Sequence, residues 1–257
     1  MRLHVHEFGP SAGRTVVALH GVTSSAFLFR RLAARLPGLR LVAPDFRGHG
    51  ASGRAAPWDL SVHLRDIRET LDALGIAQAP VIGFNFGGRV AVELLASQRS
   101  RVERLVLLEP ALQLDADRAT ALADALLADT SYPSVDAAIE ARVATGWAPY
   151  APTDFWRDWS EQLVTGEDGR LRFPFSRAAA IAIYSELATP PPPFDALRVP
   201  TLLVVGAEST LVTARQLERY RYELGDFLEV KTVHAKHQII GDAADEVAVA
   251  VGAFLAR

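Results

Sequence analysis

The chain has 257 residues, 49% of them hydrophobic, and a formal net charge of −3. That length suits one large core, and the mixed charges offer no polyanion-binding surface, so nucleic acid is not an expected partner. No apolar run approaches the roughly 18 residues of a membrane helix, and Met1 to Pro10 lacks a secretory leader, so a cytoplasmic protein without membrane partners is expected.

In chain order, residues 2–8 alternate polar and apolar like an edge strand, and Thr15 to Leu19 is a continuous apolar run, as a strand covered on both faces should be. A helix from about Ser25 carries Phe29, Leu32, Ala33 and Leu36 on one face and stops at Pro37-Gly38. Leu39 to Ala43 is the next strand. The stripe Leu64, Ile67, Leu71 and Leu74 then predicts a helix terminated by Gly75. A strand from Pro80 to Gly83, a helix from Gly87 to about Ser97 and a strand from Arg104 to Leu108 follow. From 111 to 196 the rhythm breaks into Ala-rich helical segments, with three of the four Trp residues and the tract Pro190 to Pro193. Strands resume at Val199 to Val205 and Phe227 to Val233, before a closing helix of about Ala244 to Leu255. The expected architecture is α/β: a core of residues 1–110 and 197–257, with 111–196 inserted as a helical cap.

Several chemical signals fall at strand ends, where open parallel sheets hold their sites. Gly83-Phe84-Asn85-Phe86-Gly87 has the form G-x-(nucleophile)-x-G between an apolar strand and a helix, where glycines allow a turn sharp enough to expose the central side chain. His20-Gly21-Val22 follows an earlier strand, so the N–H groups of Val22 and Phe86 are candidate oxyanion donors, with His20 read as a loop brace. A base must reach the elbow from the loop after the last strand, which carries His234 and His237. His234 lies nearer the strand and reads as structural, leaving His237 as the candidate base.

These motifs, together with Asp45-Phe46-Arg47-Gly48-His49-Gly50-Ala51-Ser52, resemble the α/β-hydrolase superfamily over essentially the whole chain. The resemblance implies a mainly parallel sheet of about eight strands with helices on both faces. It also implies a capped hydrolase of esters, lactones or carbon–carbon bonds, with its triad in the order nucleophile, acid, histidine. The acid usually follows the strand after the cap. Here that turn reads Glu208-Ser209-Thr210, with a hydroxyl where the acid belongs. Glu208 is one candidate. Glu109, where some dehalogenase-like relatives hold their acid, is the preferred one.

Asn85 stands where Ser would be. An amide nitrogen is delocalised into its carbonyl and makes no useful nucleophile. Three readings follow: a serine hydrolase disabled at its nucleophile, which is preferred; an Asp-dependent dehalogenase or epoxide hydrolase carrying the isosteric amide; or a non-hydrolytic binder. Asn85 is the one Asn in the chain, which argues against a chance occurrence. The missing acid at 209 or 210 argues for the binder. Trp147, Trp156, Trp159 and Tyr184 are expected to line a pocket for a small or medium, largely apolar small-molecule substrate. His4 and His6 share a strand face without a third ligand nearby in sequence, so no metal is expected. No phosphate loop is present, and no cofactor is implied.

Overall fold

A computed structural model describes residues 1–128 and 130–257. The strands are β1 (Val5–Phe8), β2 (Arg14–Leu19), β3 (Leu39–Pro44), β4 (Ala79–Phe84), β5 (Val102–Leu108), β6 (Val164–Thr165), β7 (Leu171–Arg172), β8 (Thr201–Gly206) and β9 (Leu228–Val233). The helices are α1 (Phe29–Ala33), α2 (Leu60–Ala73), α3 (Phe86–Ser97), α4 (Ala116–Ala125), α5 (Val135–Ala144), α6 (Thr153–Ser160), α7 (Arg177–Leu187), α8 (Ala214–Leu224), α9 (Ile239–Asp242) and α10 (Ala244–Leu255). Among the described residues, no helix is long and apolar enough to cross a membrane.

Seven strands form the main sheet in the order β1-β3-β2-β4-β5-β8-β9, parallel except for the antiparallel edge strand β1. The expected count of about eight is reduced because a single short strand forms that edge. Strand residues alternate between two cores, as the period of two requires. Val17, Leu19, Val81, Leu105, Leu107 and Leu203 meet α2, α3 and α8. Val16, Ala18, Ile82, Val106, Leu202 and Val204 meet α1, α9 and α10. Both faces are therefore covered, which is why the central strands read as unbroken apolar runs.

The helix expected from Ser25 is shorter than its stripe implies. Ser25 caps a single 3₁₀ turn, and α1 spans only Phe29 to Ala33, although Phe29, Leu32, Ala33 and Leu36 are all buried. Asp59 caps α2 by accepting from the Val62 N–H, and Gly75 follows the helix with φ of 69°. Such a left-handed residue is favoured just past a helix end.

β5 and β8 are parallel neighbours, with Leu108 opposite Val204. The chain between them holds α4 to α7 and the hairpin β6–β7, which is separate from the main sheet. The hairpin is an addition to the helical expectation, and the turn that makes it includes Asp168-Gly169, with Gly169 at φ of 73°. Phe155, Trp156, Trp159 and Phe173 form a core of their own in this segment. Two of the points that fasten it to the rest of the chain lie close to the sheet. Arg89 on α3 donates to the carbonyls of Leu112, Thr189 and Pro190. At the other point, Gly50 and Ser176 donate 2.6 Å backbone hydrogen bonds to Pro174 and Gly48 respectively.

Candidate active site

The site is built where β2, β4, β5, β8 and β9 end. Asn85 joins β4 to α3 with φ of 52° and ψ of −116°, a strained conformation for any residue but glycine. The flanking glycines make the turn possible. A Cβ on Gly83 would lie 2.6 Å from Gly88 Cα, and one on Gly87 would collide with the Leu19 carbonyl. Among the described residues, three non-glycine positions have positive φ: Thr23, Asn85 and Glu109. They follow β2, β4 and β5, so the backbone strain gathers at one end of the sheet. Strain of this kind persists only where the surrounding structure over-determines it, and it clusters at functional sites.

The Asn85 amide fits two neighbours at once. Its Oδ1 accepts from the Val22 N–H at 3.2 Å, and its Nδ2 lies 3.3 Å from His237 Nε2. His237 Nδ1 lies 3.3 Å from Glu109 Oε2. With the imidazole proton on Nδ1 and donated to Glu109, bare Nε2 accepts from the Asn85 amide, and every polar contact in the row is satisfied. The His237 ring stacks on Phe84, centroids 5.2 Å apart. Glu109 is fully buried, and its Oε1 accepts from the Gly206 N–H at 2.7 Å. Phe86 opens α3, where amide N–H groups have no intrahelical acceptor.

Glu208 and His234 lie outside this row. Glu208 accepts from the Tyr150 hydroxyl at 2.5 Å, while His234 is exposed and stacks on Tyr150. His20 is buried, its Nε2 accepting from the Phe46 N–H, and burial lowers its pKa. It braces the loop after β3. Space supplies the third group that sequence did not offer His4 and His6, namely Asp45. Its oxygens already accept from the Ala26 and Ala51 N–H groups, and it is held near pKa 2 against the cost of its burial by the His6 contact and these amides.

Asn85 and His237 open into a cavity of about 40 Å³, room for little more than a water. Trp147 and Trp159 line it, whereas Trp156 and Tyr184 do not. Trp156 packs inside the aromatic cluster against Phe155 and Trp159, and Tyr184 packs against the main core. Sequence reading missed Arg142 and Gln162, which also line the cavity and make it less apolar than its aromatics imply. The sequence signals that pointed to this wall were aromatic residues, and Arg142, on α5, is not one of them.

Residues 14–244 match the family model described as the alpha/beta hydrolase fold. The chain is 38% identical over 213 residues to the protein named lipase LipV of Mycobacterium tuberculosis (strain ATCC 25618 / H37Rv), covering 82% of this chain and 78% of that one. Its fold is similar to that of an E-2-(acetamidomethylene)succinate hydrolase, with a TM-score of 0.85 and 25% identity over 99% of this chain and 95% of that one. It is also similar to that of the enol-lactonase of Burkholderia xenovorans LB400, with a TM-score of 0.80 and 18% identity over 99% and 96%. The elbow, the strand order and the family match agree, and the chain belongs to the alpha/beta hydrolase fold family, with proteins named as a lipase and as hydrolases among its relatives.

Proposed function

We propose that this chain is an ester- or lactone-hydrolase framework disabled at its nucleophile, with Asn85 where an attacking Ser would stand. His237 is the base and Glu109 the acid that orients it. The N–H groups of Val22 and Phe86 are the oxyanion donors, and residues 111–196 are the cap over a small or medium substrate. One observation carries this reading: the Asn85 side chain bonds both to a proposed oxyanion donor and to the proposed base. A serine hydroxyl there would meet the group that takes its proton beside the group that stabilises the charge it creates. With the amide, no acyl-enzyme forms. The site retains positioning and the oxyanion donors, worth about 10³–10⁴-fold over water in disabled triads.

The test is Asn85→Ser assayed on p-nitrophenyl esters and lactones. Turnover should rise by at least about 10³-fold, because a triad works as a unit and only its first member is missing. The gain should vanish on adding His237→Ala. A folded Asn85→Ser protein that hydrolyses nothing across a broad ester panel, while the unmodified chain binds small ligands tightly, would favour a binder. The carboxylate after β5 supports a second reading, since the family resemblance associates that position with dehalogenase-like relatives. Asn85→Asp then tests for turnover of haloalkanes or epoxides.

A further inference from the structure

The cavity above Asn85 has an unmatched cation in its wall. Arg142, in the last turn of α5, lines the cavity together with Asn85 and His237. Its guanidinium lies 5.0, 5.7 and 5.9 Å from the ring centroids of Trp147, Trp159 and Phe173. Its Nε is sequestered from solvent without a hydrogen-bond partner, and among the described residues no carboxylate pairs with it. No Asp or Glu lines the cavity.

A guanidinium carries five N–H donors and stays charged at any ordinary pH. Ring faces attract the charge but give those in-plane donors no acceptor, so they offset only part of the cost of burial. Burial accordingly pulls Arg142 below its ordinary pKa. Elsewhere in this chain a buried arginine is matched: Arg47 forks onto Asp66 at 2.6 and 2.9 Å, and Arg89 is bonded to three carbonyls. Arg142, half-buried, has the same chemistry and opens instead on the cavity.

We propose that Arg142 is a specificity residue that receives an anionic group, a carboxylate or its equivalent, on the substrate. This rests on the reading of the site as a hydrolase framework and narrows its substrates to esters or lactones carrying a second, ionised acid group. The cavity of about 40 Å³ must widen to hold such a substrate; the aromatic walls then take the carbon chain between the two ends, and a planar fork suits a carboxylate bidentately.

Because the unmodified chain forms no acyl-enzyme, calorimetric titration measures binding without turnover. Two matched probes serve: the monoethyl ester of adipic acid, ionised at pH 7.5, and its neutral diethyl ester. The monoester should bind at least about tenfold tighter, the scale of one charge-assisted contact. Arg142→Met should abolish that preference, and Arg142→Lys should retain part of it. Near-ultraviolet circular dichroism of Trp147 and Trp159 checks that the cap stays packed. Equal affinities, or a preference unchanged in Arg142→Met, would overturn the assignment. If neither probe binds measurably, kcat/KM of Asn85→Ser on the two esters decides, and no preference for the monoester overturns it. If the preference stands but Asn85→Ser hydrolyses neither ester, Arg142 keeps its role and the hydrolase reading fails instead.

Discussion

Ser209 Oγ donates a 2.6 Å hydrogen bond to Glu109 Oε2, the same oxygen that faces His237 Nδ1. The hydroxyl sits where the family resemblance puts an acid, and it holds a carboxylate that arrives from the neighbouring strand. The exchange is possible because β5 and β8 are adjacent and in register, so their ends lie one strand spacing apart. With Gly206 N–H on its other oxygen, Glu109 is fixed on both sides.

In the Asn85→Ser background, Glu109→Gln should lower kcat by about 10²–10⁴-fold, the range over which losing a triad acid acts. Glu208→Gln should change it less than twofold, since that carboxylate engages Tyr150 instead. Adding Ser209→Asp to Glu109→Gln should recover part of the loss. Steady-state kinetics on one ester decides the matter, and equal losses at 109 and 208 would exclude Glu109 as the acid.

Backbone strain at the elbow gives a stability prediction that reverses the usual order of residues. Asn85→Ala removes both side-chain hydrogen bonds and keeps a Cβ at φ of 52°. Asn85→Gly removes the same bonds and relieves the Cβ. The Gly variant should therefore be the more stable by about 1 kcal/mol, read from urea midpoints at constant slope. Ala more stable than Gly would mean that the elbow is not strained.

The buried histidines should make stability depend on pH. His63 is fully buried with neither ring nitrogen partnered, and burial lowers its pKa to about 4; His49 is lowered to about 3 by the same cause. The unfolded chain protonates both near 6.5, whereas the folded chain does not until far lower. Their contribution is therefore complete above that pH and is lost as pH falls toward 4 and 3. Each lowered histidine contributes a slope of about 1.4 kcal/mol per pH unit inside its window. Urea midpoints measured between pH 7 and 5 should fall steeply, and His63→Leu should flatten the fall while sparing stability at pH 7. An unchanged slope would locate the dependence elsewhere.

Much of this was legible because it rests on local signals. The elbow glycines, the unbroken apolar strands and the closing helix are each written in a few consecutive residues, and the structure matches them to within a residue or two at most ends. His237 was singled out over His234 by its distance from the strand end alone, and it is the His237 ring that lies beside the Asn85 amide. Helix α8 went unread although its signal was present: Thr213 and Gln216 form a capping box. Arg142 and the split between Trp159 and Trp156 were not legible. They depend on how helices far apart in sequence close over the sheet, and no local pattern encodes which side of an aromatic stripe faces a cavity. The partnership of Ser209 with Glu109 is of the same kind, joining residues 100 positions apart.

Arg89 has a mechanical consequence. Its guanidinium holds Leu112, on the stem leaving the sheet, and Thr189 and Pro190, on the stem returning to it. Two stems gripped by one planar group cannot part without breaking hydrogen bonds to it. The segment they carry is held at further points, by the backbone pairing of residues 48–50 with 174–176 and by the ion pairs of Arg30 with Asp158 and Arg31 with Asp154. Arg89 therefore sets the spacing of the two stems from a position that does not line the cavity of about 40 Å³ beside Asn85.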